Sequence, residues 1–528
     1  MRVTLLLSVF LLVTKVSFSQ GSLSGNFKAN INFFERDSSI KADNNPLYDH
    51  LLSGGEGWLN LSYSYKGFTG NVRFDAFNNS NLQNPTTALT GAGLGMFSLK
   101  KEIQGLTVTV GHVYDQIGSG FIFRAYEDRG LLIDQALFGL HLKYTLNKHL
   151  WVKAFTGQSK FLFDRYKPIL KGAVIEGNYG LRKEKIHITP GIGITNRTMN
   201  EESMSKVIST INSMPEKDRF VPTYNNYAAT VYNTLSWGDF TWYAEGAAKS
   251  KETINNNGIF ENKEGYAGYT TLGLAKAKFG INASGKYTSY FVMRTSPNEI
   301  LIRGIYNWQP IIAQIRTQRL IGRYTPPSQD ISEYSGILNT YITPSEKLTF
   351  NVSYTHINRL DNEKLYRELW VDGEYHSGET WTIHLGAQYM VYNQAVYQQK
   401  LKADYPDIHA ITPFAEIVYK LNAKKSLRTE IQYMSTKQDY GSWAFLLLEY
   451  NIVPGWSFAL TDMYNIQPNK THVKEAKHYP NAFVAYTKGP HRITAQYVKQ
   501  VDGINCTGGV CRYEPAFSGF KLGLTTSF

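Results

Sequence analysis

The chain has 528 residues, with 55 Lys+Arg against 43 Asp+Glu and a formal charge of +12. Aromatic residues make up 14% of it and charged residues 19%, with 44 Gly but only 2 Cys. A mean hydropathy of −0.31 is too polar for a bundle of membrane helices, and two cysteines exclude a disulfide scaffold and offer no C-x-x-C zinc site. An aromatic, Gly-rich, mildly polar chain of this kind fits a membrane β-barrel.

Residues 1–19 read as a signal peptide. Arg2 gives a short positive start, Val3 to Val13 an apolar stretch, and Ser17-Phe18-Ser19 a small-x-small cleavage pattern, so the mature chain is expected from Gln20. The apolar stretch is too short to span a bilayer. An exported chain without a spanning helix is either soluble outside the cytoplasm or a barrel. Basic residues are scattered through the sequence and form no stripe, which argues against a nucleic-acid partner. Outer-membrane lipid headgroups, or a weakly cationic lumen, fit the charge better.

Alternation begins almost at once: Phe27, Ala29, Ile31 and Phe33 against Asn26, Lys28, Asn30 and Asn32. No N-terminal plug domain of the kind carried by TonB-dependent transporters is therefore expected. The pattern recurs at Leu59, Leu61, Tyr63 and Tyr65, at Ile281, Ala283, Gly285 and Tyr287, at Leu348, Phe350, Val352 and Tyr354, and at Trp381, Ile383, Leu385, Ala387 and Tyr389. One apolar and one polar face is the strand period. Segments of about 10–14 residues suit tilted membrane strands. They predict an all-β, transmembrane antiparallel barrel over 20–528, of about 24 strands within a range of roughly 20–26.

Connections are expected to alternate in length. Short turns are read at Lys66-Gly67, Gln104-Gly105, Asn147-Lys148, Gly238-Asp239, Pro344-Ser345 and Pro454-Gly455. Long connections are read at 37–54, 80–92, 114–135, 160–170, 197–222, 252–263, 293–330, 394–408 and 467–476. Trp151, Trp237, Trp242, Trp381 and Trp456 lie beside short turns and are expected to form an aromatic girdle.

Individual segments carry narrower expectations. Asp37, Asp43 and Asp49 with Asn44 and Asn45 offer oxygen ligands for calcium, at a spacing that matches no EF-hand. The connection 114–135 is too apolar for a free surface loop, with Phe121, Ile122, Phe123, Leu131, Leu132 and Ile133. Gly118 and Gly120 permit a sharp reversal. Arg124, Glu127, Asp128, Arg129 and Asp134 would then present charge to a pore. An extracellular loop held by its own ion pairs is the plainer reading. Asn200 to Met214 reads as a helix with Asn200 at its N-cap and Met204, Val207, Ile208 and Ile211 on one stripe, suiting the barrel rim or a partner contact. His384 lies on a lumen face beside Thr382 and Gln388, which suits pore lining as well as catalysis. His472 and His478 share a polar loop with Glu475, which does not read as a metal site. Cys506 and Cys511 flank Gly508-Gly509 and are expected to form a local disulfide in an exported chain.

The ending Lys521-Leu522-Gly523-Leu524-Thr525-Thr526-Ser527-Phe528 resembles the C-terminal assembly signal of bacterial outer-membrane barrels, through Gly523 and the terminal Phe528. Thr526 departs from its apolar preference. The resemblance implies the barrel-assembly machinery as a partner. The run from Gly118 to Glu127 followed by Ile133-Asp134, with the ending Cys506 to Arg512, Pro515-Ala516 and Ser527-Phe528, resembles an uncharacterised family of Bacteroidota outer-membrane proteins over the whole mature chain. That family implies a fold and a compartment, the Gram-negative outer membrane, and no active site.

No G-x-S-x-G elbow appears, and no catalytic residues, cofactor or metal site are expected; the chain does not read as an enzyme. Two function classes remain. One is porin-like passage of polar solutes through a lumen constricted by 114–135. The other is a structural barrel in a secretion, surface-lipoprotein export or assembly complex, with a partner such as a lipoprotein filling the lumen. A wide barrel needs a filler of either kind.

Overall fold

The computed structural model describes residues 21–43, 51–84, 87–256, 258–299, 302–328, 331–472, 475–507 and 510–528. The wall begins with β1 (Ser22–Phe34), β2 (Ser53–Tyr65), β3 (Phe68–Asn84), β4 (Thr87–Ile103), β5 (Leu106–Val113) and β6 (Leu137–Asn147). It continues with β7 (Leu150–Phe161), β8 (Asp164–Gly177), β9 (Ile186–Thr198), β10 (Asn225–Trp237), β11 (Phe240–Asn256) and β12 (Ile259–Lys276). Then come β13 (Phe279–Ser289), β14 (Glu333–Ser345), β15 (Leu348–Arg359), β16 (Lys364–Ser377), β17 (Trp381–Tyr392) and β18 (Ile408–Asn422). The last are β19 (Lys425–Met434), β20 (Gly441–Ile452), β21 (Trp456–Pro468), β22 (His478–Lys488), β23 (His491–Gln500) and β24 (Phe517–Ser527).

The main sheet holds 25 strands, and all but the short strand Tyr179–Leu181, an accessory to β9, form a closed antiparallel ring of 24. Neighbours in the ring are neighbours in the chain. β24 closes it by pairing with β23 through Val498↔Gly519 and with β1 through Ala29↔Leu524. Closure removes both sheet edges, which an open sheet of this size would expose.

Period two decides what each face meets. Leu338, Tyr354, Leu369 and Tyr389 follow one another across β14–β17 in direct register and are all exposed. On the opposite face of the same strands Glu333, Ser353, Glu368, Asp372 and Gln388 are buried. The apolar exposed face is the outside of the ring, because segments packed on the polar face touch strands all round it.

Four of the five tryptophans beside short turns, Trp237, Trp242, Trp381 and Trp456, are exposed on that outer face. Trp151 instead shares the inner face of β7 with Lys153 and Phe155 and packs inward. Its place in the alternation sets its direction, and nearness to a turn does not. Three connections read as long are extended hairpins: β3–β4, β7–β8 and β11–β12 continue across 80–92, 160–170 and 252–263. Ladder hydrogen bonds need no apolar face once a strand has left the apolar band, so β3 runs on through the polar stretch Asn78 to Asn81, where the ladder is bulged and held by Asn78 opposite Gly55 and Ser80 opposite Leu89.

α1 spans Glu201–Asn212. Asn200 takes the N-cap position, but its side chain makes no capping bond. Met204, Val207 and Ile211 are buried against Met199 and Phe260, so most of the apolar stripe is covered by the chain itself.

Phe528 lies beside β1: Gly25 N–H donates to Phe528 O at 2.9 Å, and the Phe528 ring rests where a Gly25 side chain would stand. Gly523 sits in the ladder between Asn30 and Thr494. Deleting Phe528 is expected to lower the amount of protein that migrates faster unheated than boiled on SDS gels. Unchanged folded yield would count against the assembly-signal resemblance.

Candidate functional site

The connection 114–136 runs along the polar face of the wall. Its reversal rests on Gly118 (φ +53°) and Gly120 (φ +106°). A Cβ on Gly118 would stand 2.5 Å from Glu245 Oε1 and would push that carboxylate out of place. Glu245 instead accepts from Ser119 N–H at 2.7 Å and from the Thr230 and Tyr243 hydroxyls at 2.7 and 2.6 Å. Two short ladders brace the rest, Asp115–Gln116 with Arg124–Ala125 and Glu127–Asp128 with Ile133–Asp134. Phe121, Ile122 and Phe123 are buried in one cluster with Phe155, Leu170, Val174, Tyr232 and Ala247 of the wall. Each such side chain contributes roughly 1.5–3 kcal/mol by leaving water.

An ion-pair network fixes the second half. Arg73 of β3, 2% exposed, donates to Asp75 at 2.6 Å, Glu127 at 2.8 Å and Asp134 at 2.5 Å. Lys160 of β7 donates to Asp134 at 2.7 Å, and Arg129 to Glu127 at 2.6 Å. Tyr114 adds a hydroxyl bond to Asp134 at 2.9 Å. Gly95, skipped in the β3–β4 register, makes room for Asp75: a Cβ there would lie 2.0 Å from its carboxylate. Three cations meet three carboxylates, so the network is neutral. Buried charge of this kind is tolerable only when every member is partnered.

Burial pushes the Asp134 carboxyl up, but Lys160 and Arg73 outweigh it and hold the group below the ordinary aspartate range. A depressed folded value gives stability that is present above the unfolded value of about 3.9 and lost as pH falls through the folded one. The connection is therefore expected to stay docked at pH 5 and to release only below the ordinary aspartate pKa. Cleavage of 114–136 by an acid-active protease along a pH series checks this. Release at pH 5 would contradict it.

The connection 290–328 packs on the first. Asn307 donates to Phe121 O and Phe291 O, both at 2.9 Å. Trp308 N–H donates to Gly120 O and Arg124 N–H to Tyr306 O, both at 2.9 Å, and Arg303 donates to Leu132 O at 3.0 Å. Its later half reaches other strands: Gln314 donates to Asn339 of β14 at 2.8 Å, Arg316 to Glu368 of β16 at 3.3 Å, and Leu320 N–H to Gln432 of β19 at 2.8 Å. Tyr324 donates to Asp439, beyond β19, at 2.7 Å. Only a segment inside the ring can touch β14, β16 and β19 while the connection it packs on touches β3, β7 and β11.

The charged residues singled out in 114–135 therefore do different things. Glu127, Arg129 and Asp134 are compensated within the network. Asp128 caps the turn that follows, accepting from Leu131 N–H. Arg124 makes no ion pair among the described residues; it stacks on Tyr126 and Trp308, 4.3 and 4.5 Å from their centroids. His384 is elsewhere, on β17 beside Asp372 at 2.8 Å. Arg73 and Lys160 were not singled out from sequence, and the second connection was read only as a long one, 293–330, with no place in the lumen. The apolar content of 302–312, with Ile302, Ile305, Tyr306, Trp308 and Ile312, carries the same signal that marked 114–135.

Among the remaining candidates, Asp37 caps the turn Ser38–Ile40 and pairs with Lys499 at 2.6 Å. Asn44, Asn45 and Asp49 lie outside the described residues, as do 1–20. His478 pairs with Asp462 at 2.6 Å and His472 stacks on Tyr405. No group of three or more His, Cys, Asp or Glu among the described residues is placed to hold a metal. Cys506 and Cys511 face each other in the hairpin Gly503–Thr507 with Val510–Glu514; their side chains are outside the described set.

The chain belongs to a family of unknown function, DUF6029, whose model matches residues 1–528. No curated protein matches it. Similar solved structures include the P pilus usher (PapC) translocation pore, at 11% identity and a TM-score of 0.45 over 96% of this chain and 99% of that one. The siderophore receptor PirA from Pseudomonas aeruginosa matches at 11% identity and 0.42, over 96% and 80%. The copper transporter OprC matches at 9% and 0.42, over 97% and 81%.

Proposed function

We propose that this chain is an outer-membrane β-barrel of a Gram-negative bacterium, exported with a cleaved signal peptide, that passes small polar solutes through a lumen narrowed by its own connections 114–136 and 290–328. The outer face of exposed Leu, Ile, Val and Tyr matches a lipid environment, and the inner face is polar. A ring of 24 strands would enclose a wide aqueous channel if left bare. The observation that carries the reading is the neutral buried network joining Glu127 and Asp134 to Arg73 and Lys160 of the wall. A connection held by such bonds is a fixed part of the lumen.

A barrel filled by a partner is the second reading, and the inward connections leave it less room. Conductance of the purified protein in planar bilayers separates the two. Discrete ohmic steps are expected. A bilayer that stays silent until a co-purifying protein is stripped away would overturn the passage reading.

Export would also carry Cys506 and Cys511 into an oxidising compartment, where their facing positions favour a disulfide. Protein taken directly from cells is expected to resist thiol labelling until reduced. Labelling of both residues without reduction would remove the disulfide.

A further inference from the structure

Towards the short-turn end of the lumen, residues 314–318 of the second connection roof a cavity of about 570 Å³ against β11–β17. Ordinary small-ligand sites span roughly 300–1,000 Å³. Strand register builds its floor. One rung runs Gly280, Tyr341, Asn351, Asp372 across β13–β16, and the next runs Asn282, Asn339, Ser353, Trp370. Directly paired residues on one face lie about 5 Å apart, so the two rungs form a continuous patch in which the amides of Asn282, Asn339 and Asn351 and the hydroxyls of Tyr341 and Ser353 run up to Asp372 and Trp370.

Three features of the patch point to a ligand. Tyr341 lies across Gly280, where a Cβ would come 2.1 Å from its ring. The bare glycine lets the ring rest against the wall, and 37% of Tyr341 remains exposed as it lines the cavity. Ser353 Oγ is buried at the floor with no hydrogen-bond partner. The charged groups are already engaged: Asp372 accepts from Asn351 at 2.9 Å and lies 2.8 Å from His384, Arg316 pairs with Glu368 while stacking 4.1 Å over Trp370, and Asp239 at the rim pairs with Lys276 at 3.0 Å. Asn339 accepts from Gln314 at 2.8 Å and keeps its own amide donors for the cavity.

We propose that this cavity is a binding subsite for a neutral sugar, a monosaccharide or one unit of a short oligosaccharide. Sugar hydroxyls both donate and accept, as side-chain amides and hydroxyls do. The C–H face of a pyranose ring complements an aromatic ring lying flat on a wall. A strongly ionic cargo would need an uncompensated charge, which the floor does not offer. The inference deepens the solute-passage reading and rests on it.

Isothermal titration of the full detergent-solubilised chain with maltotriose, cellotriose and N,N′,N″-triacetylchitotriose tests it, with triglycine and inorganic phosphate as comparison probes. Saturable binding of at least one trisaccharide is expected. Tyr341→Ala should weaken it about tenfold and Tyr341→Trp by no more than about threefold, both in protein that still shows heat-modifiable migration. No saturable trisaccharide binding, tighter binding of triglycine or phosphate, or unchanged affinity in a folded Tyr341→Ala protein would each overturn the subsite. Conductance of the same preparation keeps the two claims apart. Steps without sugar binding remove the subsite and leave passage standing. Sugar binding in a protein that never conducts removes passage and leaves the subsite.

Discussion

Replacing Ser119–Asp134 with a short Gly-Ser link is expected to raise single-channel conductance several-fold and to sensitise cells to large antibiotics. The segment supplies Phe121, Ile122 and Phe123 to the lumen cluster, so its loss removes bulk from the inner wall of β7–β11. It also removes Gly120 O, Phe121 O and Leu132 O, the acceptors that hold Trp308, Asn307 and Arg303 of the second connection. Both obstructions should therefore loosen together. Glu245, now covered, would face water in a wider lumen at little cost, because solvation replaces its lost bond from Ser119 N–H, while Lys153 keeps Asp115. Arg124→Ala is the finer control. It removes the one cation of the segment that has no carboxylate, so selectivity should shift towards cations with a smaller change in conductance. If the deletion leaves conductance and antibiotic sensitivity unchanged, the connection is not the constriction and a partner-filled lumen becomes the better account.

The barrel was legible because period two survives in a single sequence. Phe350, Val352 and Tyr354 alternate with Asn351, Ser353 and Thr355 whatever lies next to them. Where the alternation turned polar on both faces, as from Asn78 to Asn81, a paired strand and a loop looked alike. The apolar content of 114–135 marked it as unfit for a free surface, but apolarity does not name a partner. Arg73 and Asp75 are readable as neighbours on one face of β3. That Lys160 joins them depends on how β3 and β7 stand round a closed ring, and no local spacing encodes it. For the same reason Glu127, Arg129 and Asp134 looked like pore charges: their compensation comes from residues far away in the chain.

Arg73 is the position where one substitution should cost most. Arg73→Met leaves two cations, Arg129 and Lys160, to face three carboxylates, Asp75, Glu127 and Asp134. Breaking a buried network by removing one partner costs about 3–5 kcal/mol, because an uncompensated charge stays behind. The loss should appear as a lower unfolding temperature of the solubilised barrel and as protease cleavage within 114–136. Arg73→Lys should recover only part of it, since a single ammonium cannot reach three carboxylates with the guanidinium's fork. The informative variant is Arg73→Met with Asp75→Asn. Asp75 is partnered through Arg73, whereas Glu127 keeps Arg129 at 2.6 Å and Asp134 keeps Lys160 at 2.7 Å. Two cations then face two carboxylates, and the network is neutral again. The double variant is expected to be more stable than Arg73→Met alone and to protect 114–136 from protease, although it lacks one more native hydrogen-bonding group. If it is the less stable of the two, charge balance is not what docks the connection, and its anchoring rests on the apolar cluster around Phe121 and Phe123.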